Sequence, residues 1–325
     1  MRFAKIGGQA VMEGVMMRCG RDYAVAVRRP DGGIEIKKDR YEGLASRLHV
    51  SRIPVVRGIF SFIDSLVLGM STLTWSAGFY DEEDGAAGAE EAPPQEREDG
   101  SGQAAPQQGT GSQSGLSPLE TGLTITVSIA AAIGIFMLIP YFISRLLAGV
   151  TENAFAISAF EGVVRIALFL LYIAAISRLK DIQRVFMYHG AEHKTINCIE
   201  AGMQLTPENA AGCTRLHKRC GTNFLLIVMI VSIVCFMFIQ TDSPLSRILL
   251  RIVLVPVIAG ISFEILQWAG RSSSPLVDIL TRPGLMLQYL TTREPDQQML
   301  ETAIASIEAI YDWRQFQKEG QEGAA

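Results

Sequence analysis

The chain has 325 residues, of which 49% are hydrophobic and only 19% are charged. Soluble domains carry about 25% charged residues, and the mean hydropathy here is positive, at +0.24, so the composition argues against a purely soluble protein. The formal net charge of −4 conceals an uneven distribution in which basic residues are interleaved with apolar positions. Retention of positive charge on the cytoplasmic side of a membrane explains this pattern better than a nucleic-acid surface does, and no nucleic-acid partner is expected.

The first 53 residues predict a small β-rich cytoplasmic segment. Two short runs of strand-forming residues, 23–27 and 34–36, flank Pro30-Asp31-Gly32-Gly33, which is typical of a β-hairpin. Residues 11–17 are expected to add a further strand.

The next two segments differ sharply in composition. Residues 54–80 are apolar but are interrupted by Arg57, Gly58 and Asp64. An amphipathic interfacial helix or a re-entrant helix fits them better than a span, and a fifth membrane segment is the alternative. Residues 81–120 form an acidic linker rich in Gly, Ala, Glu, Gln, Ser and Pro, which buries too little apolar surface to offset its ordering entropy and is predicted to be disordered.

Residues 121–270 predict a four-helix membrane domain, so the fold is expected to be mainly α and polytopic. A bilayer requires about 20 apolar residues per spanning helix, and four segments approach this length: 123–147, 160–179, 223–239 and 248–268. The loop 180–221 between the second and third segments is rich in Lys and Arg. By the positive-inside rule, this loop and both termini are expected in the cytoplasm.

The C-terminal tail, residues 271–325, predicts an amphipathic helix on the cytoplasmic side. Asp296 follows Pro295 and has the residue type that caps helix N-termini. The apolar face of this helix is expected to dock onto the cytoplasmic core, through Met299, Leu300, Ile304, Ile307 and Ile310.

A histidine motif in the cytoplasmic loop carries the chemical prediction. His189-Gly190-Ala191-Glu192-His193 spells H-x-x-E-H, the order found in inverzincin metalloproteases. On a helix, residues four apart share a face, so both imidazoles can converge on one metal ion. Glu192 then lies near any water on that ion, where a general base acts. The competing interpretation is a pair of interfacial histidines hydrogen-bonded to backbone or to lipid phosphate.

Three residues are candidates for a third ligand, in the order Glu200, His217 and Glu264. If the helix continues to about Ala201 and stops at Gly202, Glu200 shares a face with the histidines. His217 lies in the same loop. Glu264 is a costly carboxylate in a predicted span, near its cytoplasmic end.

The five cysteines form no framework of the secreted type, and free thiols or metal ligands are expected in the reducing cytoplasm. Cys220 lies three residues after His217, beside Lys218 and Arg219. It is interpreted either as a reactive thiolate or as a small residue at a helix entrance.

Four blocks of sequence resemble the YqhQ-like family of uncharacterised bacterial membrane proteins, generally described as predicted metal-dependent enzymes. The resemblance covers most of the chain and is carried by residues 8–18, 189–195, 215–222 and 290–295. It implies a multi-pass bacterial cell-membrane protein with a metal site, and it supplies no substrate.

The preferred interpretation is a metal-dependent hydrolase that holds zinc, or another divalent metal, at the cytoplasmic face. His189 and His193 would be ligands and Glu192 the base, and the substrate would be a peptide or a lipid-linked ester at the inner leaflet of the bilayer. The alternative is a non-enzymatic membrane scaffold or transporter component that recruits cytoplasmic partners. Glu13 could serve either hypothesis.

Overall fold

The computed structural model describes residues 3–80 except 49 and 51, and residues 118–322 except 148, 240, 242 and 273. The predicted acidic linker therefore lies outside the described residues as far as residue 117. The prediction of a mainly helical polytopic protein with a small N-terminal sheet is confirmed.

The N-terminal sheet is antiparallel, with the strand order β1-β2-β3-β4. Its strands are β1 Gly7–Val11, β2 Gly14–Cys19, β3 Asp22–Arg28 and β4 Ile34–Arg40. The predicted hairpin joins β3 to β4, with Arg28 opposite Ile34. The strand predicted for residues 11–17 is found as β2, but it begins at Gly14, because a tight turn at Met12 and Glu13 separates it from β1.

Both faces of the sheet are covered, as the alternation of side chains along a strand requires. Val15 and Met17 belong to one apolar cluster that also contains the helical residues Tyr188 and Met299. Met16 points the other way, into a second cluster with Leu68. The sheet therefore lies between two helical layers.

Two helices follow the sheet, α1 Leu44–Arg47 and α2 Val56–Ala77. The sequence predicts an interfacial or re-entrant segment for residues 54–80, and the structure has one continuous helix of 22 residues there. By length and composition alone α2 could cross a membrane. Its Asp64, however, accepts hydrogen bonds from the Tyr41 hydroxyl at 3.1 Å and from the Leu44 N–H at 2.9 Å.

Three further helical segments are long and apolar enough to cross a membrane. The first joins α3 Pro118–Ile133, a π-helical turn Gly134–Leu138 and α4 Ile139–Leu147; the others are α5 Ala154–Ile176 and α9 Pro244–Arg271. The predicted span 223–239 is found as the shorter helix α8, Gly221–Met237, of 17 residues.

The helices between and after these segments form the layer that carries the histidines. They are α6 Lys180–Glu200, α7 Pro207–Ala211, α10 Pro275–Thr291, α11 Gln297–Ile310 and α12 Trp313–Glu322.

The helix predicted through the H-x-x-E-H motif is confirmed, and Gly202 follows its end with φ 74°. The predicted Asp296 cap is also confirmed, since its carboxylate accepts from the Met299 N–H at 2.8 Å. Helix α10 was not predicted.

Candidate metal centre

Helix α6 presents the two histidines of the motif side by side. Their ring centroids are 4.4 Å apart, as expected for residues one helical turn apart. His193 is buried and His189 is half-buried. The predicted pairing of the imidazoles is therefore present in the structure.

Cys220 completes a group of three ligand atoms with these rings. It is the N-cap residue of α8, and its Sγ lies 3.2 Å from His189 Nε2. One ligand atom from each of His189, His193 and Cys220 lies within 4.8 Å of the others. Zinc–nitrogen and zinc–sulfur bonds of about 2.0 and 2.3 Å place tetrahedral ligand atoms roughly 3.5 Å apart, so these residues fit a zinc ion with a small adjustment.

Backbone carbonyls orient both rings. His189 Nδ1 lies 2.8 Å from the Thr291 carbonyl oxygen, and His193 Nδ1 lies 2.6 Å from that of Arg215. A carbonyl only accepts, so each Nδ1 carries a proton, and in the neutral ring the Nε2 atom has the lone pair that a metal requires. Histidine ligands in metalloproteins are held in the same way by their second nitrogen.

Glu192 lies on the same helix, between the histidines in sequence, and is buried. Its carboxylate accepts a hydrogen bond of 3.1 Å from the Gly8 N–H of β1. Burial raises the pKa of Glu192, while His189 and the Gly8 N–H act in the opposite direction. A β-carbon at position 8 would lie 3.0 Å from Glu192 Cγ and 2.7 Å from the Met16 carbonyl oxygen, so only glycine allows this approach.

The structure does not bring Glu200 into the group. Its carboxylate pairs with Arg219 and accepts from the Ala4 N–H at 2.8 Å. It therefore fixes the N-terminal segment and the loop before α8 rather than facing the histidine pair.

His217 lies next to the group without joining it. Its ring centroid is 5.5 Å from that of His193, and its Nε2 is 3.9 Å from Glu200. The Gln288 amide holds its backbone, accepting from the His217 N–H and donating to its carbonyl, each at 2.8 Å. Burial, with His193 and Arg219 nearby, lowers the pKa of His217 to about 3, so the ring is neutral at physiological pH.

Glu264 lies elsewhere, at the contact between α9 and α2. It forms a bidentate pair with Arg57, with distances of 2.5 and 2.7 Å. This ion pair accounts for a carboxylate in a long apolar helix without a metal.

The contact between Cys220 and His189 was missed by sequence reasoning. The sequence marks both residues as candidates, but no local pattern indicates that residue 220, at the end of the loop 201–220, lies beside His189. The position of Cys220 at the start of a predicted span was the one feature that could have suggested this contact. The carbonyls of Thr291 and Arg215 carry no sequence signal, since every residue has a carbonyl.

Glu13 attaches the sheet to α6. It has φ 47° in the β1–β2 turn, and its carboxylate forms a bidentate pair with Arg184 of α6. The Tyr188 hydroxyl donates to the same carboxylate at 3.3 Å. The turn is thereby fixed to α6 directly before His189.

Comparison with known proteins places the chain in a family. The family model described as "Protein of unknown function (DUF1385)" matches residues 53–313. The chain is 36% identical over 306 residues to the "Uncharacterized protein YqhQ" of Bacillus subtilis (strain 168), covering 94% of this chain and 91% of that protein. No solved structure matches it. The chain therefore belongs to the DUF1385 family of proteins of unknown function, and its resemblance to the YqhQ-like proteins is confirmed.

Proposed function

We propose that this protein is a zinc-dependent hydrolase at the cytoplasmic face of the bacterial cell membrane, with His189, His193 and Cys220 as ligands. One observation carries the proposal: three ligand atoms of the types that bind zinc lie within 4.8 Å of one another, and two of them belong to rings whose other nitrogen is held by a carbonyl. Glu200 was the first candidate for the third ligand, and Cys220 takes that position instead.

Three protein ligands leave one coordination position open, as in catalytic rather than structural zinc sites. Zinc in such a site lowers the pKa of a bound water and polarises a carbonyl. Glu192, held by the Gly8 N–H, would accept the proton of the attacking water and pass it to the leaving group.

Two features support a cytoplasmic position. The loop 180–221 is rich in Lys and Arg, which favours the inner side of the membrane. Cys220 would also remain reduced there. Because Cys220 caps α8, an apolar helix, the site lies where a peptide or a lipid-linked ester at the inner leaflet could reach it.

Metal analysis of the purified protein tests the ligand set. We expect about one zinc per wild-type chain by plasma mass spectrometry, and strong loss of zinc in His193→Ala and Cys220→Ser. Cys213→Ser, in the same loop but outside the group, is the matched control and should retain zinc. Wild-type protein that is folded but binds no divalent metal would overturn the proposal and leave the scaffold or transporter alternative.

Activity is tested separately from metal binding. Glu192→Gln should retain zinc but lose hydrolysis of a short-chain p-nitrophenyl ester or a fluorogenic peptide. Hydrolysis by Glu192→Gln at the wild-type rate would exclude Glu192 as the base while leaving the metal site intact.

A further inference from the structure

Helix α2 has two faces with different surroundings. One face, with Asp64, Leu68, Gly69, Thr72 and Ser76, is buried. It lies against the sheet: Leu68 packs among the sheet residues, and the Ser76 hydroxyl accepts from the Met12 N–H at 3.1 Å. The opposite face exposes apolar side chains, each between 36 and 61% accessible: Ile63, Leu66, Val67, Met70 and Leu73.

The sheet and α6 must lie on the same side of any membrane, because they contact each other directly. The Gly8 N–H donates to Glu192, and Glu13 pairs with Arg184. The number of membrane crossings between β4 and α6 must therefore be even. Three long apolar helical segments lie between them among the described residues: α2, the combined α3–α4 segment, and α5. Residues 81–117 have no apolar run of the length that a span requires. One of the three helical segments cannot cross.

Helix α2 is the segment that does not cross. From Asp64 to Ser76 it is covered by a sheet that contains charged residues, and the Lys37 ammonium lies 5.7 Å from the centre of the Trp75 ring. A strand carrying Lys37 and Lys38 does not lie in the hydrocarbon core. The Tyr80 hydroxyl, just after α2, also donates to the Arg28 carbonyl of the sheet, so the helix ends beside the same layer that covers its middle.

The same reasoning applies after α6. Helix α11 packs with α6 in one core, so the crossings between them are also even in number. Helix α10, also between them, is not among the helices apolar enough for a span, so α8 and α9 both cross or both do not. The 28 residues of α9 are ample for a span. Four crossings result: the α3–α4 segment, α5, α8 and α9.

We infer that α2 lies in the plane of the membrane surface and that its exposed apolar face docks onto the lipid bilayer. The start of α2 is held against a span, since Gly58 of α2 packs against Gly260 of α9 and Arg57 pairs with Glu264. An amphipathic helix in this position buries its apolar face at the boundary of headgroups and acyl chains. Helix α2 thus anchors the sheet, α6 and α11 at the membrane surface. The inference is independent of the metal and of hydrolysis.

Depth measurement tests the orientation of α2. Cysteine replaces Ile63, Leu66, Met70 or Leu73, one position at a time, in a background with Cys19, Cys213 and Cys235 changed to serine. The buried Cys198 and Cys220 remain in every variant and in the background protein, which is measured alone. Each carries a fluorophore and is quenched by spin labels at shallow or deep positions of the acyl chains. An in-plane helix gives equal, shallow depths at all four positions. A spanning helix gives depths that change by about 15 Å from residue 63 to residue 73, at 1.5 Å per residue, and would overturn the inference.

Two controls make the depth experiment decisive. Val253→Cys on α9, which is exposed, should be quenched by lipid, and Lys38→Cys on the sheet should not. If the four α2 positions are quenched no more than Lys38→Cys, another protein or solvent covers this face, and the inference fails.

Sidedness provides a second, independent test. In spheroplasts, an impermeant maleimide should label Val150→Cys, between α4 and α5, but neither Lys38→Cys nor Gly78→Cys, directly after α2, until the membrane is permeabilised. Labelling of Lys38→Cys and Gly78→Cys from opposite sides would show that α2 crosses. The wild-type chain, measured in parallel, gives the labelling of the natural cysteines.

Discussion

At the scale of single residues, two backbone carbonyls decide which atoms the histidine pair presents. Thr291 and Arg215 hold the Nδ1 atoms, so the Nε2 lone pairs remain for a metal. The pairing of His189 and His193 could be predicted from their spacing on one helix. The third ligand could not, because Glu200 has the correct helical phase but is bound to Arg219 and the Ala4 N–H. These partners come from other parts of the chain, which periodicity does not address.

Gly190→Ala should weaken metal binding without touching a ligand. A β-carbon there would lie 2.0 Å from the Arg293 carbonyl oxygen, so the segment 291–295 must move and withdraw the Thr291 carbonyl from His189. Loss of such a supporting contact typically costs 10–100-fold in metal affinity, and we expect a fall of about 10-fold or more in competition with a chelating dye. Gly212→Ala, whose β-carbon would meet only Asn209 O at 3.4 Å, is the control. Unchanged affinity in Gly190→Ala would show that the Thr291 carbonyl is not needed.

His217 should make the metal-free protein less stable in acid. Its pKa is lowered to about 3 in the folded state, from 6.5, so the unfolded chain takes up a proton first as the pH falls. Its contribution to stability is complete above pH 6.5 and is lost progressively towards pH 3, by up to about 1.4 kcal/mol per pH unit. His217→Asn should flatten this part of the curve, measured by chemical unfolding in detergent after removal of metal.

The comparison between variant and wild type isolates this effect. Glu192, with its raised pKa, acts in the opposite sense: its contribution is present in acid and is lost as the pH rises. Both proteins share that contribution. Equal slopes below pH 6.5 for wild type and His217→Asn would mean that His217 is protonated in the folded protein.

At the scale of elements, short sequence patterns predicted those helix ends and turns that depend only on neighbouring residues. Gly202 ends α6, Asp296 begins α11, and Pro30 to Gly33 join two strands, each for a reason contained within a few residues. The turn at Met12 and Glu13 was missed because glutamate rarely adopts a positive φ. Its conformation is held by contacts with Arg28 and Arg184, which are distant in sequence. Helix α10 was missed because Pro283, which lies inside it, suggests a break.

Asp296→Ala should destabilise the protein by about 1 kcal/mol, the usual cost of losing an N-cap. The Asp296 carboxylate satisfies the Met299 N–H, and α11 lies in the core that joins the sheet to α6. Asp296→Asn retains an acceptor oxygen and should stay near wild type in free energy of unfolding. Equal losses in both variants would point to the charge of Asp296 rather than to capping.

At the scale of the whole molecule, the protein is a layer of sheet and helices joined to a bundle of apolar helices. The composition and the apolar runs predicted the bundle. They could not predict that β1 lies on α6, because Gly8 and Glu192 are 184 residues apart and no periodicity links them. That contact completes the candidate site and requires the sheet and α6 to lie on the same side of a membrane.

Within the bundle, a buried charge cluster ties the helices together. Glu161 of α5 accepts from Arg251 of α9 at 2.5 and 2.9 Å and from Arg165 at 2.8 Å. Arg165 also donates to the Phe136 carbonyl in the π-helical turn at 2.9 Å. All three charged side chains are buried, so one carboxylate holds three helical segments in register.

Glu161→Gln should therefore be the most destabilising single change in the bundle. It leaves two guanidinium groups buried without a counter-charge, and breaking a buried pair from one side costs about 3–5 kcal/mol. The exposed pair of Arg40 and Asp22 in the sheet gives the contrast, since Asp22→Asn should cost about 1 kcal/mol or less. Thermal unfolding in detergent, followed by tryptophan fluorescence, compares the two variants. If Glu161→Gln unfolds at the same temperature as Asp22→Asn, the arginines find other partners or water, and the cluster does not hold the helices in register.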